Sequence, residues 1–241
     1  MDINNKFKAL VWQFLVSTTP NVTPPAIVKS VKGRLQHMLR VSHPRAFQRN
    51  FSVTSVGDAS RAVVEGYVAD QLGHHHMVDS RVQERLARFQ LSFPEVDLRV
   101  AHLSSHGRYL YNLHLVLVHD QRWCEVHEAH LATTRDMIVR AAHKKQHRLS
   151  RAAIMADHIH LTLGPAFDES PQEVALGYLN NLAFAHGMQP RYRFGYYVGT
   201  FGEYDMGAIR RNVAFSQGST DAGSVGAGEA AEGNETRDVA E

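Results

Sequence analysis

The thirteen residues from Ala153 to Pro165 restrict this chain more than any other stretch. They are densely apolar, short, and closed by Gly164-Pro165, which reads as one buried strand ending in a turn. Side chains on a strand alternate faces, so His158 and His160 point one way while Ile159 and Leu161 point into the opposite layer. Two imidazoles at this spacing can share a metal ion. In a chain with 16 His the pair could also arise on a solvated strand, since most His are not ligands. The context favours a ligand pair: the strand is otherwise apolar, and polar groups buried in such a strand need a partner.

With 241 residues the chain has room for one large domain or two small ones, each with a real core. A single cysteine, Cys124, rules out an intrachain disulfide and fits a reducing compartment. No window approaches the roughly 18 apolar residues of a membrane span. Lys6 and Lys8 precede only a short apolar run interrupted by Trp12-Gln13, unlike a signal peptide, so a cytoplasmic location is expected. The net charge of +2 conceals an asymmetry. From Gln217 onward six acids face Arg237 alone, while the preceding residues carry 25 basic and 18 acidic side chains, a net +7. The tail over 218–241 has too little apolar surface to offset its chain entropy and is predicted to be disordered. Residues 3–57 hold eight Lys or Arg and no acid, a stretch that suits either a solvated face or a polyanion.

Periodicity gives an ordered set of elements. Lys8 to Val16 reads as a strand, Ala26 to Arg40 as a helix with Pro24 and Pro25 at its start, and Phe51 to Val56 as a strand. A helix follows, capped by Asp58 or Ser60 and running to about Leu72. Residues 77–107 form a connector with a helical start from Asp79 to Phe89 and an extended segment from Phe93 to Leu98. Tyr109 to His119 is a strand, Ala129 to Lys145 a helix, and Ser170 to His186 a helix with Ser170 as cap and Pro171 at its first position. Tyr196 to Phe201 is a strand and Met206 to Ser216 a last helix. The order strand, turn, helix, strand, Gly, helix thus occurs twice. A shift of 147 places Val11 to Val16 on His158 to Leu163, and a shift of 145 places Ser52 to Gly57 on Tyr197 to Gly202. Internal repetition of this kind, where real, governs the whole fold.

The strand bearing His158 and His160 resembles the signature strand of HUH-type tyrosine transposases, the family that mobilises single-stranded insertion sequences and includes REP-associated tyrosine transposases. The resemblance covers residues 108–217 and, more loosely, 8–72. It implies an α+β fold of two ferredoxin-like (RRM-like) units fused as a pseudo-dimer, with antiparallel sheets carrying helices on one face. The first unit, 1–76, is truncated, lacking the leading strand and helix that Tyr109 to Lys145 supply to the second, 108–217. In that family the second strand leads into a helix with a nucleophilic Tyr and, four residues on, a Gln that joins the metal shell. The second half carries Asn212 and Ser216 at those places, whereas the first carries Tyr67 and Gln71 but has Val11 and Gln13 where the His pair should stand. Each half keeps what the other has lost.

Family members are homodimers whose sites are shared in trans, so the resemblance implies one composite site in a monomeric pseudo-dimer: His158, His160 and Gln71 around Mg2+ or Mn2+, and Tyr67 as nucleophile, with Tyr204 the alternative. The implied reaction is nicking and rejoining of single-stranded, hairpin-containing DNA through a 5′-phosphotyrosine bond, in a nucleoid-associated protein. Lys29, Lys32, Arg34 and Arg40 would meet the DNA backbone. Tyr192, Tyr196 and Tyr197 are either stacking platforms for unpaired bases or, as strand aromatics more often are, packing residues. A second reading is a non-catalytic DNA-binding relic whose His pair is structural.

Overall fold

The computed structural model describes residues 11–75, 77, 79–120, 124–189 and 191–211. In chain order the elements are α1 (Pro24–Leu39), β1 (Phe51–Thr54), α2 (Arg61–Ala69), α3 (Gln71–His74), α4 (Ser80–Ala87), β2 (Leu91–Ser92), β3 (His102–Leu103), β4 (Gly107–Leu110), β5 (Asn112–His119), α5 (Glu128–Lys145), β6 (Arg148–Ile154), β7 (His158–Gly164), α6 (Pro171–Ala185) and β8 (Tyr192–Phe201). These lie in one unit ending at Met206; residues from Gly207 onward form another, of which 207–211 are helical. Among the described residues no helix is long and apolar enough to cross a membrane.

The alternation of Leu113, Leu115 and Leu117 sets the architecture of the second half. All three are fully buried on one face of β5, beside Ile159, Leu161 and Leu163 of β7. Each contributes roughly 1.5–3 kcal/mol by leaving water. Ile138 of α5 and Val174, Tyr178 and Leu182 of α6 belong to the same core. The sheet order β2-β6-β7-β5-β8 is antiparallel throughout, and the chain passes through it as β5-α5-β6-β7-α6-β8, the β-α-β-β-α-β path of a ferredoxin-like unit. α6 starts where its sequence directs: Ser170 accepts from the Glu173 amide while the Glu173 carboxylate accepts from the Ser170 amide, a complete capping box.

A second, three-stranded sheet, ordered β1-β4-β3, is mixed rather than antiparallel, because β1 runs parallel to β4. The missing leading strand explains the difference. β8 has the antiparallel neighbour β5, whereas β1 has no equivalent strand in its own half and pairs with β4 just ahead of β5.

Where the halves meet, contacts come in reciprocal pairs under the 145-residue shift. The Ser55 hydroxyl donates to the Phe201 carbonyl at 2.6 Å, and the Thr200 hydroxyl to the Val56 carbonyl at 2.5 Å. The Arg61 amide donates to the Gly202 carbonyl at 2.6 Å, and the Met206 amide to the Gly57 carbonyl at 2.8 Å. Ser60 bridges Gly202 as Asp205 bridges Gly57. A side chain on Gly57 would collide with the Thr200 carbonyl, and one on Gly202 with the Ser55 carbonyl. Contacts in which i meets j′ and j meets i′ have the pattern of a two-fold interface.

Several sequence expectations need correction. Residues 11–16 form no strand; they are exposed, and Trp12 packs on Phe14 and Phe47 instead of on a neighbouring strand. The expected single strand from Ala153 is the end of β6, a reversal at 155–157, and β7. The expected strand from Tyr109 to His119 breaks at Tyr111 and serves two sheets. The helix expected to continue to Leu72 breaks at Asp70, so Tyr67 and Gln71 sit on successive helices. The extended segment expected from Phe93 to Leu98 is a pair of turns. Asn212, Ser216 and the acidic tail lie outside the described residues.

Candidate active site

The side of the sheet opposite the leucine core carries the histidines. Directly paired residues of an antiparallel ladder share a face, and the register pairs His158 with Val118, His160 with Val116 and Thr162 with His114. His114 and His160 are therefore diagonal neighbours on that face. Their rings are nearly parallel, with centroids 5.2 Å apart, and His114 Nε2 lies 3.0 Å from His160 Nδ1. His158 and His160 are both buried, with ring centroids 4.9 Å apart. His158 Nδ1 contacts the Asp157 carboxylate at 2.6 Å.

Helix α2 packs against β6 and β7 and brings Tyr67 to this face. The phenol ring lies 5.6 Å from the His160 ring, 6.2 Å from His114 and 5.8 Å from His74, and is 44% exposed, so it meets both the imidazoles and solvent. After the break at Asp70, His75 sets its ring 5.1 Å from that of His158. Tyr67, from the first half, and the His pair, from the second, thus meet within one chain.

Gln71 is fully buried. Its Nε2 donates to the Tyr67 carbonyl at 3.1 Å, and its Oε1 has no hydrogen-bond partner. An orphaned buried amide oxygen is unfavourable by roughly 1–3 kcal/mol unless something else satisfies it. Among the described residues no three His, Cys, Asp or Glu side chains are arranged to hold one metal ion. A third donor would have to be of another type, and the Gln71 oxygen has the right chemistry. Two imidazole nitrogens and one amide oxygen make a mixed donor set suited to Mn2+ and less so to Mg2+, which prefers oxygen.

Burial pushes His160 down to about 3, assisted by the neighbouring imidazoles of His114, His158 and His75, and pushes His114 down to about 4. Both are neutral near pH 7. In the unfolded chain each returns to its ordinary value of 6.5, so below that pH the unfolded state binds more protons than the folded one. The stability these neutral rings allow is present above 6.5 and is lost as pH falls toward 4 and 3. Urea unfolding of chelator-treated protein should therefore show a loss on the order of 3 kcal/mol between pH 7 and 4.5. A flat profile over that range would mean that these rings are solvated.

The sequence singled out Tyr67, Gln71, His158 and His160 but passed over His114, His74 and His75. His114 was detectable in principle as a polar residue alternating with Leu113 and Leu115. Tyr204 is 65% exposed, and the described ring contacts do not join it to these His. Of the expected DNA-contacting residues on α1, Lys29, Arg34 and Arg40 are exposed. Lys32 is partly committed, donating to the Gln48 and Arg49 carbonyls at 2.5 and 3.1 Å. Tyr192 is buried against His119 and Tyr196 packs on the core, whereas Tyr197 is 57% exposed.

No family model matches the chain, and no curated protein matches it. Among solved structures it is similar to a protein of Deinococcus radiodurans R1 provisionally described as a transposase, at 19% identity and a TM-score of 0.34, over 43% of this chain and 88% of that one. It is also similar to a REP-associated tyrosine transposase solved bound to a REP hairpin, at 10% identity and a TM-score of 0.34, over 43% of this chain and 62% of that one.

Proposed function

We propose that this protein is a metal-dependent enzyme that nicks and rejoins single-stranded DNA at one composite site, with Tyr67 as nucleophile. The observation that carries the reading is the 5.6 Å approach of the Tyr67 ring to His160, two residues that belong to opposite halves of one chain. His158, His160 and Gln71 would hold Mg2+ or Mn2+, which when bound supplies a Lewis acid for the scissile phosphate. The Tyr67 oxygen bonds to phosphorus, the bond to the 3′-oxygen breaks, the phenol gives up its proton and the 3′-oxygen acquires one. The products are a 5′-phosphotyrosine link and a free 3′-hydroxyl, so the phosphodiester energy is retained for rejoining. Half-exposure of the phenol lets a strand reach it, while burial of the imidazoles keeps them neutral and able to act as donors. Exposed Lys29, Arg34 and Arg40 favour a polyanion, and Tyr197 offers an exposed ring to an unpaired base.

The reciprocal contacts around Gly57 and Gly202 support reading the chain as a fused pair in which one site persists and its twin has decayed. A titration of the full chain with Mn2+ should then saturate at about one equivalent. The decisive experiment screens single-stranded hairpin libraries, with and without Mn2+, for protein–DNA adducts that survive denaturation. Adducts that need the metal would support the enzyme. Salt-sensitive binding without any adduct would instead favour a DNA-binding relic.

A further inference from the structure

We propose that His114 is a positioning residue that holds the His160 ring in the tautomer whose Nε2 lone pair is available to a metal ion, an assignment that rests on the metal-site reading above. The bond between His114 Nε2 and His160 Nδ1, 3.0 Å long, contains one proton. If His114 donates it, His160 accepts at Nδ1 and its own proton must sit on Nε2, where it blocks ligation. If His160 donates from Nδ1, its Nε2 keeps the lone pair and His114 takes the tautomer protonated at Nδ1.

The neighbouring imidazole shows how the same requirement is met next door. His158 Nδ1 lies 2.6 Å from the Asp157 carboxylate, which when ionised can only accept, so His158 carries its proton on Nδ1. Metal-ligating imidazoles generally donate their second N–H to a carboxylate or carbonyl, which fixes both tautomer and orientation. His160 is given no carboxylate. Its neighbour across the ladder is the imidazole of His114, held between Tyr67 at 6.2 Å and Tyr197 at 5.7 Å. The near-parallel rings, 15° apart, leave that nitrogen as the acceptor. The pair is therefore set by two different devices, a carboxylate behind His158 and an imidazole behind His160.

Nitrogen-15 NMR of the full-length, metal-free protein with labelled histidines reads the tautomer directly. The expected result is a protonated Nδ1 and an unprotonated Nε2 on His160, with the reverse on the nitrogen of His114 that faces it. A protonated Nε2 on His160 overturns the proposal. In Mn2+ titrations followed by electron paramagnetic resonance, His114→Leu should weaken binding about 10- to 100-fold. His114→Gln, which supplies a carbonyl acceptor, should recover most of that loss. Equal affinity for wild type and the Leu variant also overturns it. Should wild type bind no Mn2+ at all, the metal-site reading fails, yet the NMR result still decides whether His160 donates to His114.

Discussion

Tyr67→Phe is expected to abolish covalent capture of hairpin DNA while leaving the fold in place. The substitution removes one oxygen from a ring that is 44% exposed, and the ring contacts with His74, His114 and His160 need only its carbon frame. Stability should therefore change by no more than about 0.5 kcal/mol. Loss of the only atom that can bond to phosphorus should nevertheless remove the adduct entirely, a loss of at least about 10³-fold by gel assay. Tyr204→Phe should leave capture unchanged. If the two results are exchanged, the nucleophile belongs to the second half and the composite site is wrong. Mixing Tyr67→Phe with His158→Ala protein discriminates further. Because Tyr67 and the His pair meet within one chain, the mixture should stay inactive, and restored capture would mean that the working site is shared between molecules.

The second large effect is expected at the junction. Gly57→Ala and Gly202→Ala should each destabilise the chain by about 3 kcal/mol, measured as a shift in denaturant midpoint. The added Cβ meets a backbone carbonyl in both cases, and backbone cannot rotate aside as the end of a flexible side chain can. Reciprocity adds a stricter expectation: the two variants should be of similar severity, and the double variant should fall short of their sum because both open the same contact. A severe Gly202→Ala with a harmless Gly57→Ala would show that the two halves are not related by this contact.

The sequence was most informative where local signals agreed with tertiary demands. Ser170-Pro171 with Glu173 marked the start of α6 correctly, because a cap is satisfied within a few residues of itself. The alternation of Leu113, Leu115 and Leu117 likewise announced a strand with one buried face. It could not reveal that Tyr111 divides that strand between two sheets, nor that β1 would run parallel to β4, since strand partners are chosen over long range. Residues 11–16 look like a strand by composition alone. The flanking strands that the repeat supplies to β7 are missing from the first half, and the segment stays unpaired. The approach of Tyr67 to His160 was legible only through the repeat, as one half retaining what the other had lost. His114 was missed because its role depends on a diagonal neighbour across a ladder, which sequence spacing does not encode.

The tether at the start of α2 bears on what happens after cleavage. The Arg61 amide is bonded to the Gly202 carbonyl, and its guanidinium bridges Glu203 and Glu65, each at 2.6 Å, tying the base of the helix to the far end of β8. Beyond Ala69 the chain turns at once into α3, whose Gln71 is fully buried. The tyrosine arm is thus pinned at both ends and has little freedom to swing. A strand linked to Tyr67 would be kept above the point of the cut, so resealing of the same ends should outpace delivery of the severed end to a distant acceptor.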